Sequence, residues 1–166
     1  MIYTADFETV NEVNDCRVWS WGVSLVDEDP RYFEWGIDID GFMQWCRLQK
    51  SPKIYFHNFK FDSEFIIYWL FKNDYIYVHQ SKNMPSKSFH VIKSDLGQMY
   101  QMTICEQTGK KGNRITIYDS LKLIPMKIKE MPRAFGFSDE MEKGDIYYNN
   151  KSPIKSIISG DSHTLL

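Results

Sequence analysis

The sequence predicts an α/β fold whose sheet carries a functional site along one edge. Segments rich in β-forming residues alternate with segments whose apolar residues recur at helical spacing. Acidic residues directly follow several of the predicted strands. The chain has 166 residues, of which 43% are hydrophobic and 16% aromatic, so it is long and apolar enough to form one globular domain with a core of its own.

The predicted elements follow the order strand, hairpin, helix, strand, helix, and then a strand-rich second half. The predicted strands are residues 2–5, 17–26, 32–37, 53–57, 89–94, 98–106 and 114–118. The first predicted helix begins within residues 38–41 and ends at Ser51-Pro52, and the second covers residues 63–71. A third is predicted over residues 127–135, where Pro132 interrupts or ends it. Polar turns are predicted at residues 11–15, 27–31 and 108–113.

The first acidic pair lies in the stretch MIYTADFET at residues 1–9. Residues two apart in a strand point to the same face, so Asp6 and Glu8 present two carboxylates together while Phe7 turns into a core. Two neighbouring carboxylates repel each other unless a cation separates them, and hard oxygen ligands suit Mg²⁺ or Mn²⁺. The alternative is an exposed strand end that carries two solvated acids.

A second acid, Asp62, follows the predicted strand at residues 53–57 and begins the predicted helix at residues 63–71. It would approach Asp6 and Glu8 if this strand lies beside the first one. Three acids that converge on one spot are costly unless metal ions neutralise them. The alternative role for Asp62 is that of a helix N-cap, which does not exclude metal ligation.

Charge and cysteine usage narrow the possible function classes only slightly. The net charge is −2, but basic residues cluster locally, and each cluster could bind phosphate or form a solvated face. The clusters are Lys110, Lys111 and Arg114, and then Lys122, Lys127, Lys129 and Arg133. Three widely spaced cysteines form no zinc pattern, and no apolar run is long enough to span a membrane, which predicts a cytoplasmic protein without a membrane partner.

Four motifs then occur in order: DFET at residues 6–9, YFHNFKFD at 55–62, YDSLK at 118–122 and KGDI at 143–146. As a set they resemble the N-terminal 3′–5′ proofreading exonuclease domain of the protein-primed family B DNA polymerases of phages. The resemblance covers residues 1–148 and leaves residues 149–166 as a tail that we expect to be poorly ordered. It implies an RNase H-like, DnaQ-type exonuclease fold, with a mixed central sheet flanked by helices.

The resemblance also implies roles for individual residues. Asp6, Glu8 and Asp62 would be the ligands of Mg²⁺ or Mn²⁺ at the catalytic centre, and Lys143 would lie near the scissile phosphate. A phage-encoded protein of this kind would act in the cytoplasm of its host cell. The implied contacts with a single-stranded DNA 3′ end are Thr9, His57, Asn58, Phe61, Phe65, Ser120, Leu121 and Tyr148. Other implied partners are the rest of a polymerase and a terminal protein. Alternatively, Phe65 belongs to the apolar stripe of its helix and Ser120 caps a helix.

One family motif, Tyr-x-x-x-Asp on a later helix, does not occur in these residues. The late acid Asp161 follows Ile157 by four positions rather than a tyrosine, and Gly160 disfavours a helix there. The sequence therefore resembles an exonuclease domain that ends before its last catalytic element, and we expect weak or absent cleavage by this chain alone. The alternative function is a non-catalytic module that binds single-stranded DNA or a replication or defence protein.

Overall fold

A computed structural model describes residues 1–26, 32–95, 97–109 and 112–136, and every structural statement below concerns these residues. Within them a mixed sheet has the strand order β3-β2-β1-β4-β8-β7-β6-β5. The strands are β1 (Ile2–Glu12), β2 (Asp15–Leu25), β3 (Phe33–Gly36), β4 (Lys53–Phe56), β5 (Ile76–Tyr77), β6 (Ser88–Lys93), β7 (Met99–Gln107) and β8 (Asn113–Asp119). The helices that accompany this sheet are α1 (Asp38–Leu48) and α2 (Phe59–Lys72).

Three adjacent strands at the centre of the sheet run parallel. β1 pairs with β4 through Thr4 and Tyr55, and β4 pairs with β8 through Phe56 and Asp119. The flanking hairpins β1–β2 and β6–β7 are antiparallel. Because the carboxyl ends of parallel strands meet at one edge of a sheet, the residues that follow β4 and β8 lie beside the C-terminal half of β1.

An aromatic core fixes the orientation of β1. The ring of Phe7 packs edge-on against Phe42 of α1 at 4.8 Å and against Phe56 of β4 at 5.0 Å between ring centroids. All three side chains are buried, and α1 contributes a continuous buried stripe that includes Trp45. Since side chains alternate along a strand, burial of Phe7 directs its neighbours on β1 to the other face.

β1 and α2 each differ from the prediction by four or more residues at one end. β1 does not end at residue 5 but continues to Glu12, because it pairs with β2 along this length through an irregularity between Glu8 and Thr9. α2 begins at Phe59 rather than at residue 63, and Asn58 precedes it in a left-handed conformation with φ 63°. Asparagine is one of the few residues that tolerate this conformation, which lets the chain turn from strand into helix within two residues.

The predicted hairpins and both larger helices are confirmed, whereas the short strand β5 was not predicted. The chain divides into two compact units, Met1–Leu123 and Ile124–Leu166. In the second unit, a 3-10 helix (Ile128–Glu130) is followed by α3 (Met131–Ala134), with Pro132 in its first turn where proline is tolerated. The predicted turn at 27–31, Lys110, Lys111, the KGDI motif, Asp161 and the tail at 149–166 lie outside the described residues.

No helix in the described ranges is both long enough and apolar enough to cross a membrane.

Candidate active site at the carboxyl edge of the sheet

Asp6 and Glu8 lie on the part of β1 that extends past its last pair with β4. They face Gly22 and Ser20 of β2 in the antiparallel register, and β4 ends at Phe56. Asp6 is exposed and Glu8 is half-buried, while the intervening Phe7 is buried. The predicted alternation of the two carboxylates and the core aromatic is therefore confirmed, although the pair lies within a strand and not at its end.

Asp62 lies in the first turn of α2 and is buried. The pKa of its carboxyl is raised to about 7, mainly by burial and then by the charge of Asp6, with smaller contributions from Glu8 and Asp119. A backbone hydrogen bond lowers the pKa and offsets part of this rise. These interactions place Asp62 within electrostatic reach of the β1 pair. The N-cap alternative for Asp62 was wrong, because Asn58 holds that position and Asp62 lies inside the helix.

The ends of β4 and β8 are joined by side chains of the YDSL stretch. A single oxygen of the buried Asp119, Oδ1, accepts the backbone N–H groups of both Asn58 and Leu121 at 3.0 Å each. The Ser120 hydroxyl donates to the Phe56 carbonyl at 3.1 Å and lies 3.2 Å from Nδ1 of His57. Because that hydroxyl has only one proton to give, Nδ1 of His57 is the donor in their contact.

These bonds bring four of the predicted DNA-contacting residues, His57, Asn58, Ser120 and Leu121, to the same place. The alternative role of Ser120 as a helix cap was wrong, because the side chain of Asp119 caps the 3-10 helix Ser120–Lys122. Asp119 itself was not predicted as a site residue. The available signal was its position as an acid directly after a predicted strand, just as Asp6 directly follows the predicted strand at residues 2–5.

Phe61 and Phe65 form an edge-to-face pair on the first two turns of α2, with ring centroids 5.7 Å apart. Phe61 is 43% exposed, whereas Phe65 is half-buried and packs against the core. Thr9 is half-buried on β1 just after the irregularity. Lys143 and Tyr148 lie outside the described residues, so the structure does not place them.

The charges at this edge fit a divalent cation better than the positions of its side chains do. The charges of Asp6 and Glu8 act on a buried carboxyl whose ionised form is disfavoured, and a cation would relieve that repulsion. In the part of the chain that the structure describes, however, no three His, Cys, Asp or Glu side chains are close enough together to hold a metal ion. The electrostatics therefore fit a cation, while the side chains do not form a ready-made ligand cluster.

The mixed sheet, with its acids and strand-end loops on one edge, defines an RNase H-like fold of the polymerase-associated exonuclease type. The structure of phi29 DNA polymerase complexed with single-stranded DNA matches with a TM-score of 0.78 and 35% identity, over 92% of this chain and 26% of that one. An orthorhombic crystal form of phi29 DNA polymerase matches with a TM-score of 0.79 and 34% identity, over 96% and 27%. The chain belongs to the family of type B DNA polymerases, organellar and viral, whose model matches residues 44–165.

Curated relatives agree with this assignment. The DNA polymerases of Bacillus phages PZA and phi29 are each 36% identical over 168 residues, which cover 99% of this chain. The polymerase of Bacillus phage Nf is 33% identical over 163 residues. The chain spans about 28% of the length of the PZA and phi29 relatives.

Proposed function

We propose that this chain forms the 3′–5′ exonuclease domain of a protein-primed DNA polymerase and acts on a single-stranded DNA 3′ end. The observation that carries the proposal is the position of the buried Asp62 in the first turn of α2, just after β4, the strand that pairs with the strand bearing Asp6 and Glu8. Burial, and then the charges of Asp6 and Glu8, raise the pKa of Asp62 there. A metal-dependent phosphodiesterase needs such a concentration of carboxylates to hold its divalent cations.

In this proposal Asp6, Glu8 and Asp62 hold Mg²⁺ or Mn²⁺. The chemistry that such ions would supply there is activation of a water and stabilisation of the leaving 3′ oxygen. The first turn of α2 contributes Asp62 and, one residue earlier, the exposed ring of Phe61, on which an unpaired base can stack. Lys143 would offset negative charge on the phosphate in the transition state.

Around the DNA 3′ end, the exposed amide of Asn58 can bond a phosphate, a sugar or a base oxygen, and its phosphate and sugar contacts carry no sequence information. His57 and Ser120 lie beside it at the end of the neighbouring strand. Thr9, Phe65, Leu121 and Tyr148 complete the proposed contacts. Binding with little sequence preference is what a nuclease that trims any 3′ end requires.

The test is digestion of a 5′-labelled single strand by the full 166-residue chain with Mn²⁺. We expect slow shortening from the 3′ end, because no Tyr-x-x-x-Asp occurs in these residues to supply a fourth carboxylate. Asp6→Ala should abolish it, while Asp95→Ala, an exposed acid on the β6–β7 turn, should not. Digestion that Asp6→Ala leaves unchanged would come from a contaminant and would refute the proposal.

A second candidate is a non-catalytic module that binds single-stranded DNA or a replication or defence protein. It is favoured by the lack of a ready-made ligand cluster among the described residues. A titration of a short single strand with and without EDTA separates the two. Binding without any cleavage in Mn²⁺ would favour the module.

The matched polymerase structures also support a binding partner for this chain. Two matched structures are phi29 DNA polymerase with single-stranded DNA and with primer-template DNA, which supports DNA as the ligand of this chain. We further propose the rest of a polymerase and a terminal protein as partners. Relatives from Bacillus phages fit a location in the cytoplasm of a host cell.

A further inference from the structure

Asp119 is a buried acid at this edge that the proposed chemistry does not use. It ends β8, its backbone pairs with Phe56, and its side chain is buried. A buried carboxyl group needs hydrogen-bond donors, and two backbone N–H groups supply them here. The two donors lie on different loops: Asn58 is 61 residues from Asp119 in the sequence, and Leu121 is two residues from it.

Both loops carry residues that the proposed function places in contact with DNA. Asn58 turns the chain into α2 with φ 63°, so its placement sets the start of the helix that presents Phe61 and Asp62. Leu121 lies in the 3-10 helix that follows β8. Since both N–H groups bond to the same oxygen atom, a shift of either loop must break or stretch a bond to that atom.

We propose that Asp119 is a positioning residue that fixes the two DNA-contacting loops relative to each other through its single oxygen Oδ1. This inference rests on the proposed function. Asp119 does not touch the DNA or the scissile phosphate itself. It sets the distance between the loop that carries Asn58 and Phe61 and the loop that carries Leu121, so that one single strand contacts both at once.

The geometry makes a sharp distinction between two substitutions. Asp119→Asn keeps one oxygen that can accept both N–H groups, removes the charge and replaces the second carboxylate oxygen with an NH2 donor, whereas Asp119→Ala removes the acceptor. A matched control is Ser88→Ala on β6. Ser88 is also buried, and its hydroxyl donates to the Pro85 carbonyl at 2.6 Å at the start of a strand parallel to β8, and therefore at the opposite edge of the sheet.

The test uses the full chain, a short fluorescent single strand and EDTA, so that cleavage does not interfere, at a temperature well below every melting midpoint. We expect Asp119→Ala to weaken binding about tenfold, the loss that follows from about 1.4 kcal/mol. Asp119→Asn should restore most of the affinity. Ser88→Ala should lower the melting midpoint but leave the dissociation constant unchanged.

Two further readouts separate positioning from simple destabilisation. Hydrogen exchange at the Asn58 and Leu121 amides should be slow in the original chain and in Asp119→Asn, and fast at both positions in Asp119→Ala. In addition, Phe61→Ala should weaken binding less in the Asp119→Ala background than in the original chain, because the ring is already misplaced there.

Three results would overturn the inference. The first is unchanged binding by a folded Asp119→Ala chain, and the second is an equal loss in Asp119→Ala and Ser88→Ala. The third is an Asp119→Asn chain that folds but binds no better than Asp119→Ala, which would assign the effect to charge. If the original chain itself binds no single strand, the proposed function fails, and that outcome is distinct from binding that Asp119→Ala leaves intact.

Discussion

Replacing Asp62 by asparagine should raise the stability of the metal-free chain at pH 8 and change how its stability depends on pH. Burial, followed by the charge of Asp6, raises the pKa of Asp62 from 3.8 to about 7 in the folded chain. Because the folded pKa lies above the unfolded value, folding takes up a proton between these two pH values. The contribution of this group to stability is therefore complete below pH 3.8 and is lost as the pH rises through about 7.

The size of the effect follows from the same two values. They differ by about three pH units, and each unit corresponds to about 1.4 kcal/mol, so the full effect is about 4 kcal/mol. Between pH 5 and pH 8.5 the contribution of Asp62 to the free energy of unfolding should fall by about 3 kcal/mol. Asparagine has nearly the same shape and no charge, so it should not show this loss.

The assay is urea unfolding followed by tryptophan fluorescence in EDTA, from pH 5 to pH 8.5, for the original chain, Asp62→Asn and Asp95→Asn. The free energy of unfolding of the original chain should fall relative to Asp62→Asn as the pH rises, while Asp95→Asn, which changes an exposed acid, should follow the original chain. At pH 8, Mn²⁺ should stabilise the original chain more than Asp62→Asn. A difference between these two chains that does not vary with pH would refute the reasoning.

Three further predictions concern the surroundings of the site. Phe61→Ala should weaken single-strand binding by roughly 1–3 kcal/mol in an anisotropy titration and leave the melting midpoint nearly unchanged, because the ring is 43% exposed; unfolding would instead identify it as a core residue. Asn58→Ala should lower the unfolding free energy by about 1 kcal/mol, because alanine tolerates φ 63° poorly, whereas Asn58→Gly should preserve it in the same urea assay. Gly36→Ala should destabilise the chain by about 1–3 kcal/mol, because its Cβ would lie 2.5 Å from Cζ2 of the buried Trp21; Gly22→Ala, which meets only the end of an exposed ring, is the control, and equal losses would contradict the argument.

The sequence predicted those parts of the site that depend on local periodicity. Alternation along β1 placed Asp6 and Glu8 together and Phe7 in the core, and helical spacing identified the buried stripe of α1. The motif set also predicted the RNase H-like fold, which the matched polymerase structures confirm. The alternation and the helical stripe could be predicted because each follows from the order of neighbouring residues, whereas the fold was predicted from the resemblance of the four motifs, taken together, to a known family.

Tertiary structure decided the features that depend on residues far apart in the chain. β1 extends beyond its predicted end because β2 pairs with it, and α2 begins early where Asn58 adopts a left-handed turn. The sequence singled out Asp62 as a candidate ligand, but only the fold buries it and brings the charge of Asp6 to act on it, which raises its pKa to about 7. Asp119 joins two loops because the parallel register of β4 and β8 brings Asn58 to its side chain, and no local pattern encodes that register.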